Sequence, residues 1–119
     1  MIALGGAVGA LLRFALSSGI HSLFGRGFPY GTLFVNVSGS ALMGFLYAIS
    51  LSRVEFSSEL RAAILVGLLG AFTTFSTFSL ETLALFENGD SFKALTNICL
   101  SVGLCLFGCW AGLVLARQI

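Results

Sequence analysis

Charged side chains are scarce in this chain of 119 residues: Asp, Glu, Lys and Arg make up 9% of it, against about 25% of an average soluble domain. Hydrophobic residues make up 57%, and the mean hydropathy is +1.02. A soluble protein of this size has too little interior to bury so much apolar surface. The composition therefore predicts a membrane protein. At about 20 residues per span, the length accommodates four or five spanning helices.

The chain also has almost no excess of basic residues, a single histidine and no CxxC pair of cysteines. Each of these features argues against a class of function. A net charge of +1 argues against a surface for nucleic acid. The single histidine, His21, is expected near a membrane interface, and no nucleophile–histidine pair or metal cluster is apparent, which argues against an enzyme. Cys99, Cys105 and Cys109 lie in one apolar stretch without a CxxC pair. That spacing favours packing or lipid-facing thiols over a redox or metal site.

Four apolar stretches are separated by short links, and none of them alternates with the period of a β-strand. The first link contains three Gly and the only Pro, which cannot continue a helix. Ser57 or Ser58 is suited to cap the third helix. The sequence predicts a single all-α transmembrane domain over residues 1–119. Its four helices are expected at about 2–24, 32–51, 59–86 and 92–115.

The basic residues at the helix ends give little signal for membrane orientation. In an up-and-down arrangement three lie on one side (Arg53, Arg61 and Arg117) and two on the other (Arg26 and Lys93). Orientation normally follows a clear excess of Lys and Arg on the cytoplasmic side. Two interpretations stay open: one residue fixes a single orientation, or chains insert both ways and pair antiparallel. Four packed helices leave little room for a conduit within one chain, which favours an oligomer.

Two polar side chains lie inside the first two spans. A guanidinium in hydrocarbon costs roughly 2.5 kcal/mol or more, so Arg13 either snorkels to the interface or lines a wet vestibule with positive potential. The amide of Asn36 needs partners for two donors and one acceptor. It either joins two helices or offers its NH₂ group to an anion on a solvated path.

The third stretch is the most informative. It places six hydroxyls within ten residues, together with the carboxylate of Glu81: Thr73, Thr74, Ser76, Thr77, Ser79 and Thr82. Gly67, Gly70 and two β-branched threonines weaken the helix, so we predict a break at about 70–74. Unwound backbone at this depth is tolerated where it is buried in protein or lines a cavity, and its carbonyls are ready cation ligands.

Two phenylalanines follow the predicted break. Phe75 and Phe78 are three residues apart, and Ser79 and Thr82 continue the same helical stripe. The positive edge of an aromatic ring can meet a small anion while hydroxyls donate hydrogen bonds to it. Plain packing is the alternative for both rings, since the chain has 12 phenylalanines. The fourth stretch carries a second polar stripe with a spacing of four residues: Asn97, Ser101 and Cys105.

Several of these segments together resemble the small fluoride channels called Fluc, or CrcB-like proteins. The matching residues cover nearly the whole chain: Gly9 with Arg13, Gly31-Thr32-Leu33 with Asn36, Gly67 with Gly70, residues 73–79 with Glu81, and Asn97 with Ser101. The segment Thr73-Thr74-Phe75-Ser76-Thr77-Phe78-Ser79 is far more specific than the glycines or the hydropathy.

The resemblance implies an antiparallel, dual-topology homodimer of four-helix subunits with a broken third helix. It implies two fluoride pores and a structural sodium ion held at the dimer centre by the carbonyls of Gly70 and Thr73. It assigns the following residues to the pore: Asn36, Phe75, Phe78, Thr74, Thr77, Ser79, Glu81, Ser101 and Cys105. Arg13 corresponds to a vestibule arginine. Cys105 departs from the family pattern, which has a serine there, and a thiol is a weaker donor.

The resemblance further implies passive export of fluoride across the inner membrane of a cell. Two other functions compete with it. A small multidrug-type transporter is also a four-helix antiparallel dimer, but it needs a carboxylate in the first helix, where this chain has only Arg13. A structural subunit of a membrane complex would leave Asn36 and the hydroxyl stripe unexplained.

Overall fold

The computed structural model describes residues 1–52 and 56–119, and these form an all-helical protein. Four segments are long and apolar enough to cross a membrane: α1 (Ile2–Phe24), α2 (Tyr30–Ser52), a third span (Ser58–Glu87) and α6 (Ser91–Arg117). The molecule is 51 Å long, which suits a bilayer of about 40–45 Å including headgroups. The prediction of four apolar helices is confirmed, and the bounds lie within two residues of those expected. Arg53, counted above for orientation, lies outside the described residues.

The helix ends follow from local sequence. Gly25 ends α1 with a positive φ of 84°, a conformation that side chains with a Cβ rarely adopt. Pro29 directly precedes α2, where its missing N–H costs nothing. Of the two predicted caps for the third span, Ser57 fills the role, because its Oγ accepts a hydrogen bond from the Leu60 amide at 3.1 Å.

The third span is interrupted, as predicted. It consists of four pieces: α3 (Ser58–Arg61), a π-helical segment (Ala62–Leu69), α4 (Gly70–Phe72) and α5 (Phe75–Glu87). Thr73 and Thr74 between α4 and α5 have extended backbone, with ψ angles of 159° and 119°. Gly70 itself is helical, with φ −62° and ψ −38°. The break is thus shorter than the expected 70–74 and lies at its C-terminal end.

Close backbone approach holds the spans together. The largest interface joins α2 and α6, where Gly44 lies against the Cys109 carbonyl and Gly112 against the Ala41 carbonyl, with no room for a Cβ on either glycine. On the other side, α1 packs along the π-helical segment, and Gly9 lies against the Leu68 carbonyl. Gly9 therefore permits close packing between these two spans.

The outward-facing surface is apolar, and α5 has few neighbours within the chain. Large side chains such as Phe14 and Leu80 are both 71% exposed, which is the pattern of a protein whose outer surface meets lipid. α5 packs mainly against α6, with a smaller contact to α2. Its position therefore depends on a few specific contacts.

Candidate ion-binding groove

A groove runs beside the break in the third span, between α2, α6 and the start of α5. Its volume is about 340 Å³. Ten residues line it: Asn36, Ser40, Thr73, Thr74, Phe75, Phe78, Ser101, Val102, Cys105 and Leu106. We call this space the polar groove. Six of the nine residues that the resemblance assigned to a pore lie on its wall.

Asn36 joins α2 to the backbone of the break. Its Nδ2 donates to the Thr74 carbonyl at 2.9 Å, and its Oδ1 accepts from the Thr74 amide at 2.7 Å. These two bonds fix the orientation of the amide, because the main-chain N–H can only donate and the carbonyl can only accept. Nδ2 carries a second N–H, and this has no acceptor among the described residues. Asn36 therefore links two helices, lines the polar groove and keeps one donor uncommitted.

The bonds at the break release two main-chain carbonyls. In an unbroken helix the Thr74 amide would donate to the Gly70 carbonyl, and the Thr77 amide to the Thr73 carbonyl. Instead, the Thr74 amide donates to Asn36 Oδ1, and the Thr77 amide donates to Thr74 Oγ1 at 3.2 Å. These two bonds leave the carbonyls of Gly70 and Thr73 without their helical donors. They belong to the residues that the resemblance assigned to sodium.

Arg13 lies against the break rather than on the wall of the groove. Its Nε donates to the Ala71 carbonyl at 3.0 Å, and the side chain is half-buried. In an unbroken helix that carbonyl would accept from the Phe75 amide. The guanidinium thus satisfies a third carbonyl released by the break, from a different span.

Gly39 allows the break to lie close to α2. A Cβ on this glycine would collide with the Thr73 Cγ2 atom and come within 3.1 Å of the Phe72 ring. Asn36 and Gly39 are three residues apart, so they share one face of α2. On that face of α2, Asn36 forms hydrogen bonds with the backbone of the break, and Gly39 leaves the space that the break occupies.

The two phenylalanines after the break differ in exposure. Their ring centroids are 5.4 Å apart with an interplanar angle of 45°, and both rings line the polar groove. Phe78 is 9% exposed, whereas Phe75 is 77% exposed. Phe78 is a fixed part of the wall, and Phe75 stands at its open edge.

The α6 side of the groove carries the predicted stripe of Asn97, Ser101 and Cys105. Ser101 and Cys105 line the groove. Asn97 does not; it is 1% exposed and donates from Nδ2 to Thr82 Oγ1 at 2.9 Å. The stripe thus divides into a wall portion and a buried portion that reaches α5.

Three predicted pore residues lie on α5 away from the groove wall. Thr77 Oγ1 accepts from the Thr74 hydroxyl at 3.2 Å, and Ser79 Oγ donates to the Phe75 carbonyl of its own helix at 2.9 Å. One carboxylate oxygen of Glu81, Oε1, is buried without a hydrogen-bond partner in the described part of the chain. Thr77 and Glu81 are four residues apart and so share one face of α5, and Thr74 links that face to the groove through its hydroxyl contact with Thr77.

Three groove residues were not predicted from the sequence: Ser40, Val102 and Leu106. Ser40 had a usable signal, because it follows Asn36 by four residues and so shares its helical face. Val102 and Leu106 are ordinary apolar residues of a spanning helix, and nothing in their spacing marks a wall position.

Four apolar spans with a polar groove beside an interrupted helix define a multi-pass membrane protein. Residues 1–113 match the family model described as CrcB-like protein, Camphor Resistance (CrcB). The chain belongs to this family, which confirms the resemblance found in the sequence.

Curated relatives support the same assignment. A protein of Methylococcus capsulatus is 62% identical over 118 residues, one of Pseudoalteromonas translucida 52% and one of Geobacter sulfurreducens 50%. Each match covers 99% of this chain, and all three relatives are named fluoride-specific ion channel FluC. The chain spans 52% of the Methylococcus protein, 98% of the Pseudoalteromonas protein and 95% of the Geobacter protein. Since these are channels, the prediction that the protein is not an enzyme is confirmed.

Proposed function

We propose that this protein is a fluoride-selective channel and that the polar groove forms part of its conduction path. The observation that supports this most directly is the placement of Asn36. Asn36 lies on the wall of a groove that also holds two phenyl rings, and its Nδ2 keeps one N–H without an acceptor in the described part of the chain. The names of its relatives point to the same ion.

The chemistry of the wall suits a small anion better than a large one. Fluoride holds its hydration shell tightly, so it enters a narrow space only where fixed donors replace its waters. An amide N–H from Asn36 and the edges of Phe75 and Phe78 would supply such positive groups. A wide positive path would pass chloride as well. The half-buried Arg13, near the break, would raise the local concentration of anions.

A second copy of the chain would complete the path. Phe75 lines the groove but is 77% exposed, and Gly70 and Val66 of the same span are also exposed. An anion beside Phe75 would meet lipid unless another protein surface covered this side. An antiparallel partner agrees with the near-equal number of basic residues at the two ends of the helices. We therefore propose a dual-topology, antiparallel homodimer.

A structural sodium ion fits the released carbonyls of the break. Hard cations prefer oxygen ligands, and the carbonyls of Gly70 and Thr73 have lost their helical donors to Asn36 and Thr74 Oγ1. Because Gly70 is exposed, two copies meeting at this position would bring four carbonyls together. The ion would supply charge that holds the two interrupted spans against each other.

The direction of transport would follow the fluoride gradient. We propose passive flow, which lowers cytoplasmic fluoride when the ion has accumulated in a cell. The proposed location is the inner membrane. A proton-coupled small multidrug-type transporter would need a membrane-embedded carboxylate in α1, where the only ionisable side chains are Arg13 and His21.

Fluoride flux from liposomes tests the proposed function. The purified chain, reconstituted into vesicles loaded with potassium fluoride, should release fluoride when valinomycin carries the potassium. An ion-selective electrode outside the vesicles would record it. Vesicles loaded with potassium chloride should release almost no chloride. Equal release of both anions, or release of neither, would contradict the proposal, and uptake of a cationic dye driven by a proton gradient would favour the multidrug-type alternative.

Sodium should stabilise the folded protein. A ligand at 100 times its Kd adds about 2.7 kcal/mol, which raises the unfolding temperature of a small domain by several degrees. We expect the detergent-solubilised dimer to unfold at a higher temperature in sodium chloride than in potassium chloride of equal ionic strength. The potassium sample is the control for screening by salt. Identical unfolding temperatures in the two salts would count against the sodium site.

A further inference from the structure

Asn97 is among the most buried side chains of the described protein, with 1% exposure, although it carries an amide. A fully buried amide is costly unless its donors and its acceptor are satisfied. Asn97 belongs to α6 but does not line the polar groove. Its role therefore depends on the groups that it contacts.

Those contacts form one chain of hydrogen bonds with a single direction. Thr82 Oγ1 lies 2.7 Å from the Phe78 carbonyl, which can only accept, so the hydroxyl proton of Thr82 points there. Its oxygen then accepts from Asn97 Nδ2 at 2.9 Å. Because Nδ2 of Asn97 faces Thr82, Oδ1 of Asn97 faces Ser101, whose Oγ lies 3.3 Å away. Because Oδ1 has no proton, Ser101 must donate.

The direction of the chain has a consequence for the wall of the groove. Ser101 lines the groove, but its proton is committed to Asn97. To donate to an anion, Ser101 would have to leave Oδ1 of a fully buried amide without its partner, which is unfavourable. In this arrangement Ser101 presents lone pairs to the groove, and it can hold a water but repels a bare anion.

The same chain fastens α5 to α6. Asn36 holds the backbone of Thr74 just before α5, and Asn97 holds Thr82 one turn beyond Phe78. Thr74, Phe78 and Thr82 follow each other at intervals of four residues, so the buried ring lies midway between the two amide contacts. Of the hydrogen bonds described, Asn97 to Thr82 is the one that joins α5 to α6.

We infer that Asn97 is a positioning residue: it fixes the ring of Phe78 on the groove wall and turns the Ser101 hydroxyl away from the passing ion. The inference rests on the proposed function. By withholding a donor at Ser101, Asn97 keeps the affinity of the groove low enough for an anion to leave, which conduction requires.

The Asn97→Leu variant tests both parts of this role in the liposome assay. The freed Ser101 hydroxyl should hold fluoride more tightly, so the half-saturating fluoride concentration and the maximal flux should both fall. Loss of one buried hydrogen bond corresponds to a change of about fivefold in each. A packing defect alone would lower the flux without lowering the half-saturating concentration. An unchanged half-saturating concentration in a monodisperse Asn97→Leu protein would overturn the inference.

Substitutions at Thr82 keep the inference testable if Asn97→Leu does not fold. Thr82→Val removes the acceptor for Asn97 and should lower the flux, whereas Thr82→Ser retains the hydroxyl and should restore it. The control is Thr96→Val. The Thr96 hydroxyl also donates to a carbonyl of its own helix, that of Phe92 at 2.8 Å, but among the described residues it accepts no hydrogen bond from a side-chain amide. Normal flux in Thr82→Val would refute the role of Asn97. Absence of fluoride flux in the unmodified protein would instead refute the proposed function.

Discussion

Replacing Asn36 with aspartate should reduce fluoride flux by about 100-fold or more, because two unfavourable terms of a few kcal/mol add together. Aspartate cannot donate to the Thr74 carbonyl, which Asn36 Nδ2 contacts at 2.9 Å, so one bond at the break is lost. The carboxylate would also place a negative charge on the wall of the polar groove, where the anion passes. The measurement is fluoride efflux from liposomes reconstituted with equal amounts of dimeric protein.

A matched change at an exposed position controls for the added charge. Asn88 follows α5 in an exposed turn, and Asn88→Asp makes the same chemical substitution outside the groove. We expect this variant to conduct like the unmodified protein. If Asn36→Asp conducted at the same rate as Asn88→Asp, Asn36 would not belong to the path.

Phe78→Ile should lower fluoride flux by about fivefold or more, since the interactions of an aromatic ring are worth on the order of 1 kcal/mol beyond its area and isoleucine has no positive ring edge. Phe78 is 9% exposed and contacts Phe75 at the groove wall, so the substitution also removes a ring pair. Isoleucine keeps most of the buried apolar surface, so the variant is expected to fold. The readout is the same efflux assay, with size-exclusion chromatography to check the assembly.

The control for this prediction is Phe92→Ile. Phe92 is 83% exposed at the start of α6 and lies away from the polar groove. Its replacement should leave the flux unchanged. Normal conduction by Phe78→Ile would show that the ring only packs, which is the alternative that the sequence left open.

Much of the fold could be predicted because it depends on local chemistry. Apolar runs of about 20 residues must become helices in lipid, where each backbone polar group needs an internal partner. Gly25 and Pro29 ended and began helices where their backbone properties required it. The π-helical geometry of residues Ala62–Leu69 had no such signal, since its sequence is that of an ordinary apolar helix.

The break in the third span could be predicted only approximately from the local sequence. Glycines and β-branched threonines indicated a weak region, but Gly70 remained helical and the extended residues are Thr73 and Thr74. The position was decided by Asn36, which lies 38 residues earlier and captures both backbone groups of Thr74. A hydrogen bond between two spans has no counterpart in the local sequence.

The sequence by itself determined that this protein spans a membrane with four helices, that the third is interrupted, and which family it belongs to. These conclusions follow from the solvation of backbone and charge in lipid and from one specific run of hydroxyls and phenylalanines. Only the tertiary structure decided that Asn36 serves the backbone of Thr74, that the carbonyls of Gly70 and Thr73 lose their donors, and that Asn97 meets Thr82. Which polar groups meet depends on how the spans pack, and small residues such as Gly39 and Gly112 set that packing by the approach they permit.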